Sequence, residues 1–215
     1  MGTPNGSRVT GPRVAPRLYL VTPPVERPDD VAHGLAAALN ATEIAAVLLR
    51  LAPGDAATQL DRIKALRILI QSNGAALILD GHADLVAPSE ADGAHLTGIE
   101  AFRAAAAKLK PTRIAGCGGL SSRHDAMLAG ESGADYVMFG EPDAAGRRPS
   151  LEAVVERVSW WTEIFEVPCV AFAGNLGEID KLARANAEFV AVADDIWRDP
   201  RSMVDAINLT AEPVR

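Results

Sequence analysis

The sequence predicts a single (β/α)₈ barrel, a TIM barrel, and three observations support this fold class. Short apolar segments rich in Val, Ile and Leu alternate along the chain with amphipathic helical segments. About eight such strand–helix units fit into 215 residues, which is near the smallest size of this barrel. Residues 112–140 have the pattern of one complete strand–turn–helix–strand unit, which requires a parallel sheet covered by helices. A doubly wound open sheet is the alternative, but this short chain has too many strands for it.

The unit at residues 112–140 shows how the elements are recognised. A short apolar strand ends in a glycine-rich turn, and Ser121 or Ser122 can cap the helix that follows. Gly130 and Gly133 end that helix, and an apolar, aromatic segment then forms the next buried strand.

The same patterns place the other elements along the chain. The predicted strands span residues 17–22, 44–50, 75–80, 93–96, 112–117, 134–140, 168–173 and 188–193. Helices are expected after each strand; the helix after the third strand is short (83–85), the one after the seventh runs to Ala187, and the last spans 199–208. Residues 1–16 are rich in Gly, Pro and polar residues, so we expect a flexible N-terminal arm before a barrel domain of residues 17–215.

The composition excludes several classes of function. The net charge of −7 disfavours general binding to nucleic acid or to anionic membranes. No apolar run is long enough for a membrane span, and the N-terminus lacks the apolar core of a secretory signal. Cys117 and Cys169 fall in predicted buried strands, so we expect reduced thiols and a cytoplasmic protein.

A site is expected at the carboxyl ends of the strands, where (β/α)₈ barrels carry their chemistry. Leu48 and Arg50 share an orientation on the second strand, so Arg50 can face the barrel mouth. There its charge must meet an anion, or it must pair with Asp80 on the neighbouring strand; a solvated arginine is the other interpretation. The candidate strand-end positions are Thr22, Arg50, Asp80, residues 96–100, Gly118, Gly140, Gly174 and Asp194.

Carboxylates follow two neighbouring strands. Asp80 and Glu100 could share a Mg²⁺ ion. Alternatively, Asp80 caps the short helix that follows it, and Glu100 lies in the first turn of a helix, where the helix dipole favours a negative charge. His95 lies within the short fourth strand, where a buried, hydrogen-bonded histidine is expected rather than a general base. No Cys/His spacing indicates zinc, and neither a G-x-G-x-x-G nor a P-loop pattern occurs.

Three segments resemble the thiamine phosphate synthase family, which includes the thiazole tautomerases. RLYLVT (17–22) is similar to the family's opening strand, ADGAHLTGIE (91–100) to its "ADGVHLGQED" segment, and ESGADYVMFGEP (131–142) to its "GADYVGFGPIF" segment. The resemblance implies a barrel that joins an aminopyrimidine diphosphate to a thiazole phosphate and releases pyrophosphate, with Mg²⁺. It further implies small-molecule substrates and no nucleic-acid or membrane partner.

The resemblance also assigns residues. It implies that Arg50 contacts the diphosphate and that Asp80 and Glu100 hold Mg²⁺. Arg148 stands near a family lysine on the loop after the sixth strand. Phosphate contacts are implied at Gly118, Gly174 and Asp194.

Several positions depart from the family pattern. Family Gln and Lys positions on the second strand are Leu48 and Ala52, and the family's phosphate-binding segment after the eighth strand contains Asp194 and Asp195. An aspartate facing a phosphate would weaken binding by roughly tenfold to a thousandfold. The sequence therefore predicts a synthase-like enzyme with reduced or altered activity. The alternatives are an inactive relative that binds a phosphorylated or thiamine-related ligand, and a tautomerase that uses Asp80, His95 or His124.

An aromatic cluster on the helix after the sixth strand contains Trp160, Trp161 and Phe165. Part of this cluster is expected in the core, and the remainder could form a homodimer contact.

Overall fold

Eight parallel strands close into a barrel in the part of the chain that the computed structural model describes, residues 15–193 and Trp197. Each strand pairs with its neighbours in sequence, and β1 pairs with β8, so the predicted fold class is confirmed. The strands are β1 (Arg17–Val21), β2 (Ile44–Leu49), β3 (Ala76–Asp80), β4 (Gly93–Thr97), β5 (Ile114–Gly118), β6 (Tyr136–Phe139), β7 (Cys169–Phe172) and β8 (Phe189–Val192).

Helices connect the strands on the outside of the barrel. They are α1 (Pro28–Ala41), α2 (Ala56–Ser72), α3 (Ala83–Ser89), α4 (Ile99–Leu109), α5 (Arg123–Glu131), α6 (Leu151–Ile164) and α7 (Ile179–Arg184), the last preceded by a 3₁₀ turn at Leu176–Glu178. The side chain of Ser122 caps α5 and the side chain of Asp55 caps α2.

Several strands are shorter than predicted, such as β6 at Tyr136–Phe139 rather than 134–140, and two helices end at other residues than predicted. α3 continues to Ser89 although it contains Pro88, because a proline near a helix end removes few hydrogen bonds. α7 is shorter than predicted, ending at Arg184 rather than Ala187. Asn186 has a positive φ of 64°, which interrupts the helix before β8. The predicted N-terminal arm lies almost entirely outside the described residues, and so does the predicted last helix at 199–208.

Alternating side chains divide the core into two layers. One face of each strand packs against the helices, and the other fills the barrel interior with an inner cluster: Tyr19, Val21, Ala46, Leu48, Ile78, Tyr136, Met138, Val170, Phe172, Ala191 and Ala193. Cys117 and Cys169 are both free and buried, as predicted.

Acidic residues directly before β4, β6 and β8 fasten the amino-terminal end of the barrel. Asp92 accepts a hydrogen bond from the backbone N–H of Leu77, and Asp135 accepts one from that of Ala115, each at 2.7 Å. Glu188 likewise accepts a backbone bond from the first residue of β7. The aspartate of the Gly-Ala-Asp-Tyr segment therefore has a structural role at the end of the barrel opposite the candidate site.

Candidate active site at the barrel mouth

Arg50 and Asp80 lie next to each other at the carboxyl ends of β2 and β3. Leu48 belongs to the inner cluster, and alternation along the strand directs Arg50, two residues later, toward the mouth. Its Nε donates a hydrogen bond to the carbonyl oxygen of Thr22, and the Thr22 hydroxyl accepts one from the Arg50 backbone N–H at 3.0 Å. The positive charge of Arg50 acts on the carboxyl group of Asp80 and opposes the rise of its pKa.

A chain of hydrogen bonds crosses the barrel interior from the mouth. Glu141, directly after Gly140, accepts a hydrogen bond from Nε2 of His95, with 2.8 Å between nitrogen and oxygen. Nδ1 of His95 lies 2.9 Å from the hydroxyl of Tyr136, which lies 2.7 Å from the hydroxyl of Tyr19. Because a carboxylate can only accept here, His95 carries a proton on Nε2.

The strand register explains why these side chains meet. Asp80 pairs with His95 across β3 and β4, His95 pairs with Gly116, and Gly116 pairs with Tyr136. A Cβ atom at Gly116 would lie 2.0 Å from Cζ of Tyr136, so only glycine leaves room for this ring. The rings of His95 and Tyr136 consequently stack, with centroids 5.7 Å apart.

Glycines after β5 bring Glu141 into the mouth. Its second carboxylate oxygen accepts a hydrogen bond of 2.9 Å from the backbone N–H of Gly119. A Cβ atom at Gly118 would lie 2.2 Å from that oxygen and 2.5 Å from Nε2 of His95. Any side chain at position 118 would therefore displace the carboxylate and the imidazole.

Burial and charge shift the pKa values of this cluster. Burial alone would lower the pKa of His95, but the charge and hydrogen bond of Glu141, with the charge of Asp80, outweigh it and raise the pKa above its ordinary value. Burial raises the pKa of Asp80, and Glu141 adds to this, whereas His95 and Arg50 oppose it. Burial keeps the phenols of Tyr19 and Tyr136 neutral, since it raises both pKa values strongly. The mouth therefore holds an imidazole with a raised pKa between two carboxyl groups.

At the rim, Arg148 lies beside the carboxylate of Glu178. The guanidinium donates to the carbonyl oxygens of Gly140 at 2.9 Å and Phe172 at 2.7 Å, and it lies 3.5 Å from Glu178. Glu178 also accepts a 2.7 Å hydrogen bond from the backbone N–H of Gly174. Arg148 thus fastens the loop after β6 to the end of β7.

Two cavities lie at opposite ends of the hydrogen-bonded chain. One of about 370 Å³ opens beside the mouth and is lined by residues that include Gly119, Glu141, Arg147, Arg148 and Arg157. The other, of about 310 Å³, lies at the amino-terminal end, where Tyr19 and Tyr136 contribute to its lining. The first has the size, position and arginine content expected of a small-molecule site.

The structure brings together some of the predicted site residues and leaves others apart. Asp80 and Gly118 lie beside the Glu141–His95 pair, and Arg50 acts on Asp80 from the neighbouring strand end, whereas Arg148 and Gly174 form the separate rim contact. Glu100 is exposed in the first turn of α4, and its role as a metal ligand stays a prediction. His124 is exposed on α5. Asp194 lies outside the described residues.

Glu141 is the functional candidate that sequence reasoning missed. Segment 141–149 is rich in polar residues, Pro and Gly, a composition typical of a flexible loop rather than of a site. The side chain of Glu141 is only 16% exposed. Its position directly after Gly140, one of the candidate strand ends, is the signal that could have identified Glu141 as a site residue.

The fold and this mouth define a class: a (β/α)₈-barrel protein with arginines, a buried histidine and carboxylates at the carboxyl ends of its strands. The sequence matches the family model described as "Thiamine monophosphate synthase" over residues 18–196. The chain belongs to the thiamine monophosphate synthase family.

Individual relatives agree with this assignment. The chain is 40% identical to the thiamine-phosphate synthase of Rhodospirillum centenum over 194 residues, which cover 89% of this chain and 94% of the relative. It is 33% identical to the enzyme of that name from Hyphomonas neptunium, covering 94% and 96% of the two chains. A solved thiamine phosphate pyrophosphorylase from Pyrococcus furiosus superposes with a TM-score of 0.72 at 22% identity, over 90% of this chain and 96% of that one, and it supports the fold.

The structure also bears on membranes and on the aromatic cluster. In residues 15–193, no helix is both long and apolar enough to span a membrane.

Trp161 is fully buried and stacks on Phe165, whereas Trp160 is partly buried and lies under the guanidinium of Arg123. The homodimer contact stays a prediction.

Proposed function

We propose that the protein joins an aminopyrimidine diphosphate to a thiazole phosphate, releases pyrophosphate, and does so at a reduced rate. The observation that carries this proposal is the placement of Arg50 beside Asp80 at the mouth of a barrel that belongs to this family. In this reaction the bond between the pyrimidine methylene carbon and the diphosphate oxygen breaks, and the diphosphate keeps the electron pair. The lone pair of the thiazole nitrogen then forms the new carbon–nitrogen bond.

Arg50 has the chemistry that the leaving group requires. Its hydrogen bond to the carbonyl of Thr22 fixes the guanidinium at the mouth, where a positive charge stabilises the negative charge that develops on the departing diphosphate. Positions 48 and 52, which flank it on the same face, are Leu48 and Ala52. Arg50 therefore acts without polar neighbours on its own strand, which supports a reduced rate.

The residues present fit one Mg²⁺ ion at Asp80. Burial raises the pKa of Asp80 and the charge of Glu141 adds to it, so a cation beside this carboxyl group would be favourable. Among the described residues no three His, Cys, Asp or Glu side chains form a ready metal cluster, so substrate oxygens and water would supply most ligands, as is usual for Mg²⁺. When bound there, the ion would neutralise diphosphate charge. Glu100 remains the proposed second ligand.

The test is a product assay with the purified chain, both substrates and Mg²⁺. We expect thiamine phosphate and pyrophosphate in equal amounts, and a loss of both in Arg50→Ala. Glu156→Gln is the matched control, since Glu156 forms an exposed ion pair with Arg123 on the outside of the barrel. Absence of product from the wild-type chain at any substrate concentration would refute the proposal.

A second candidate function, tautomerisation of a thiazole phosphate, is favoured by the His95–Glu141 pair. A protonated imidazole hydrogen-bonded to a carboxylate, with a second carboxyl group nearby, can give and take protons. Exchange of a thiazole carbon-bound hydrogen for deuterium in the absence of the pyrimidine substrate would identify this activity. If His95→Gln exchanged deuterium as fast as the wild-type chain, this assignment would fail.

A further inference from the structure

The carboxylate of Glu141 occupies a position that suits an anionic ligand. One oxygen accepts from the Gly119 backbone N–H at the end of β5, and the other accepts from the imidazole of His95. Backbone N–H groups and imidazole N–H groups both donate hydrogen bonds to phosphate oxygens, so this pair of donors suits an oxyanion. The side chain of His95 is only 1% exposed, so its N–H can serve Glu141 or one incoming oxyanion but not bulk water.

The neighbouring cavity carries the charge that such a ligand needs. Arg147 is paired with Asp143 and Arg148 lies near Glu178, so each of these charges has a carboxylate close by. Arg157 differs: its guanidinium donates to the backbone carbonyls of Leu120 at 2.7 Å and Ser121 at 3.3 Å. Its positive charge therefore adds to the field in the cavity without an ion pair to a carboxylate among the described contacts.

We propose that Glu141 determines the affinity of the mouth for diphosphate groups by competing with them for the Gly119 amide and the His95 imidazole. A diphosphate must displace the carboxylate to reach these donors, and after the reaction the returning carboxylate expels pyrophosphate. This inference rests on the proposed function for its substrate, but it concerns a residue to which sequence reasoning assigns no role.

The experiment compares pyrophosphate binding by the wild-type chain, Glu141→Gln and Glu141→Asp, measured calorimetrically with Mg²⁺ and with EDTA. Glutamine keeps the size of the side chain and removes its charge, so we expect binding at least about fivefold tighter, since two unit charges about 4 Å apart in water repel by about 1 kcal/mol. Glu141→Asp keeps the charge but shortens the reach to the two donors, so its binding should tighten less than that of Glu141→Gln. Glu156→Gln changes the net charge equally, away from the mouth, and should have no effect.

Each other outcome overturns the inference. Unchanged binding by Glu141→Gln would show that the carboxylate does not compete, and weaker binding only with Mg²⁺ would make Glu141 a metal ligand instead. Equal tightening in Glu141→Asp would mean that charge is not the cause. The proposed function can fail separately: tighter pyrophosphate binding by Glu141→Gln without product from the wild-type chain refutes the synthase proposal alone, and product without tightening refutes only the role of Glu141.

Discussion

Replacing Tyr136 by Phe tests the hydrogen-bonded chain inside the barrel. The substitution removes one hydroxyl that serves both Tyr19, at 2.7 Å, and Nδ1 of His95, at 2.9 Å. An unsatisfied buried polar group costs about 1–3 kcal/mol, so two stranded partners give about 2–6 kcal/mol of lost unfolding free energy. Water in the cavity beside Tyr19 can form a hydrogen bond with the stranded Tyr19 hydroxyl. Most of the lost unfolding free energy therefore comes from the stranded Nδ1 of His95.

Tyr19→Phe is the matched control, because it removes the other hydroxyl of the same bond and leaves Tyr136 bonded to His95. Its expected cost is about 1 kcal/mol. For a chain of this size each kcal/mol corresponds to about 2–4 °C in Tm, so thermal unfolding separates the two variants. Equal losses, or a larger loss in Tyr19→Phe, would refute the hydrogen-bonded chain as described. The double variant should cost less than the sum of the single variants, because both remove the same bond.

Three further predictions concern the mouth and the core. Arg50→Ala should lower turnover by about 100-fold or more, as the loss of one charged group from a developing anion typically does, and steady-state kinetics measure this; a rate within about threefold of wild type would remove Arg50 from the mechanism. The folded state raises the pKa of His95, so the stability that this proton contributes is full below about pH 6.5 and is lost as the pH rises through the folded pKa. The difference in unfolding free energy between the wild-type chain and His95→Gln should therefore shrink above about pH 6.5, and a constant difference in denaturant titrations would contradict the raised pKa. Burial raises the pKa of Cys117 to about 12 and also raises that of Cys169, so iodoacetamide should modify both only after unfolding, and mass spectrometry of the native protein should find neither modified.

The strands were predictable because their patterns are local. Short apolar segments, some of them next to glycine or proline, identify the strands in the sequence. Where local signals conflict, boundaries shift: Pro88 would indicate the end of α3, yet the helix continues one residue beyond it.

The site was predictable only where the strand-end rule applies directly. Arg50 and Asp80 follow from alternation along two strands and from the position of active sites in such barrels. The partner of His95 depends on the register between β4, β5 and β6, and on Gly116 leaving space, and single-chain patterns do not encode that register. Glu141 shows the same limit, because a loop composition gives no sign that a neighbouring glycine turn draws one carboxylate inward.

The most direct test of the account is a crystal structure of the chain with pyrophosphate and Mg²⁺. The central claim is that Arg50, the Gly119 amide and His95 form the diphosphate position and that Glu141 holds this position when no diphosphate is bound. The account predicts pyrophosphate oxygens at the guanidinium of Arg50 and the Gly119 N–H, with the Glu141 carboxylate turned away. Pyrophosphate bound elsewhere, with Glu141 still joined to Gly119 and His95, would contradict it.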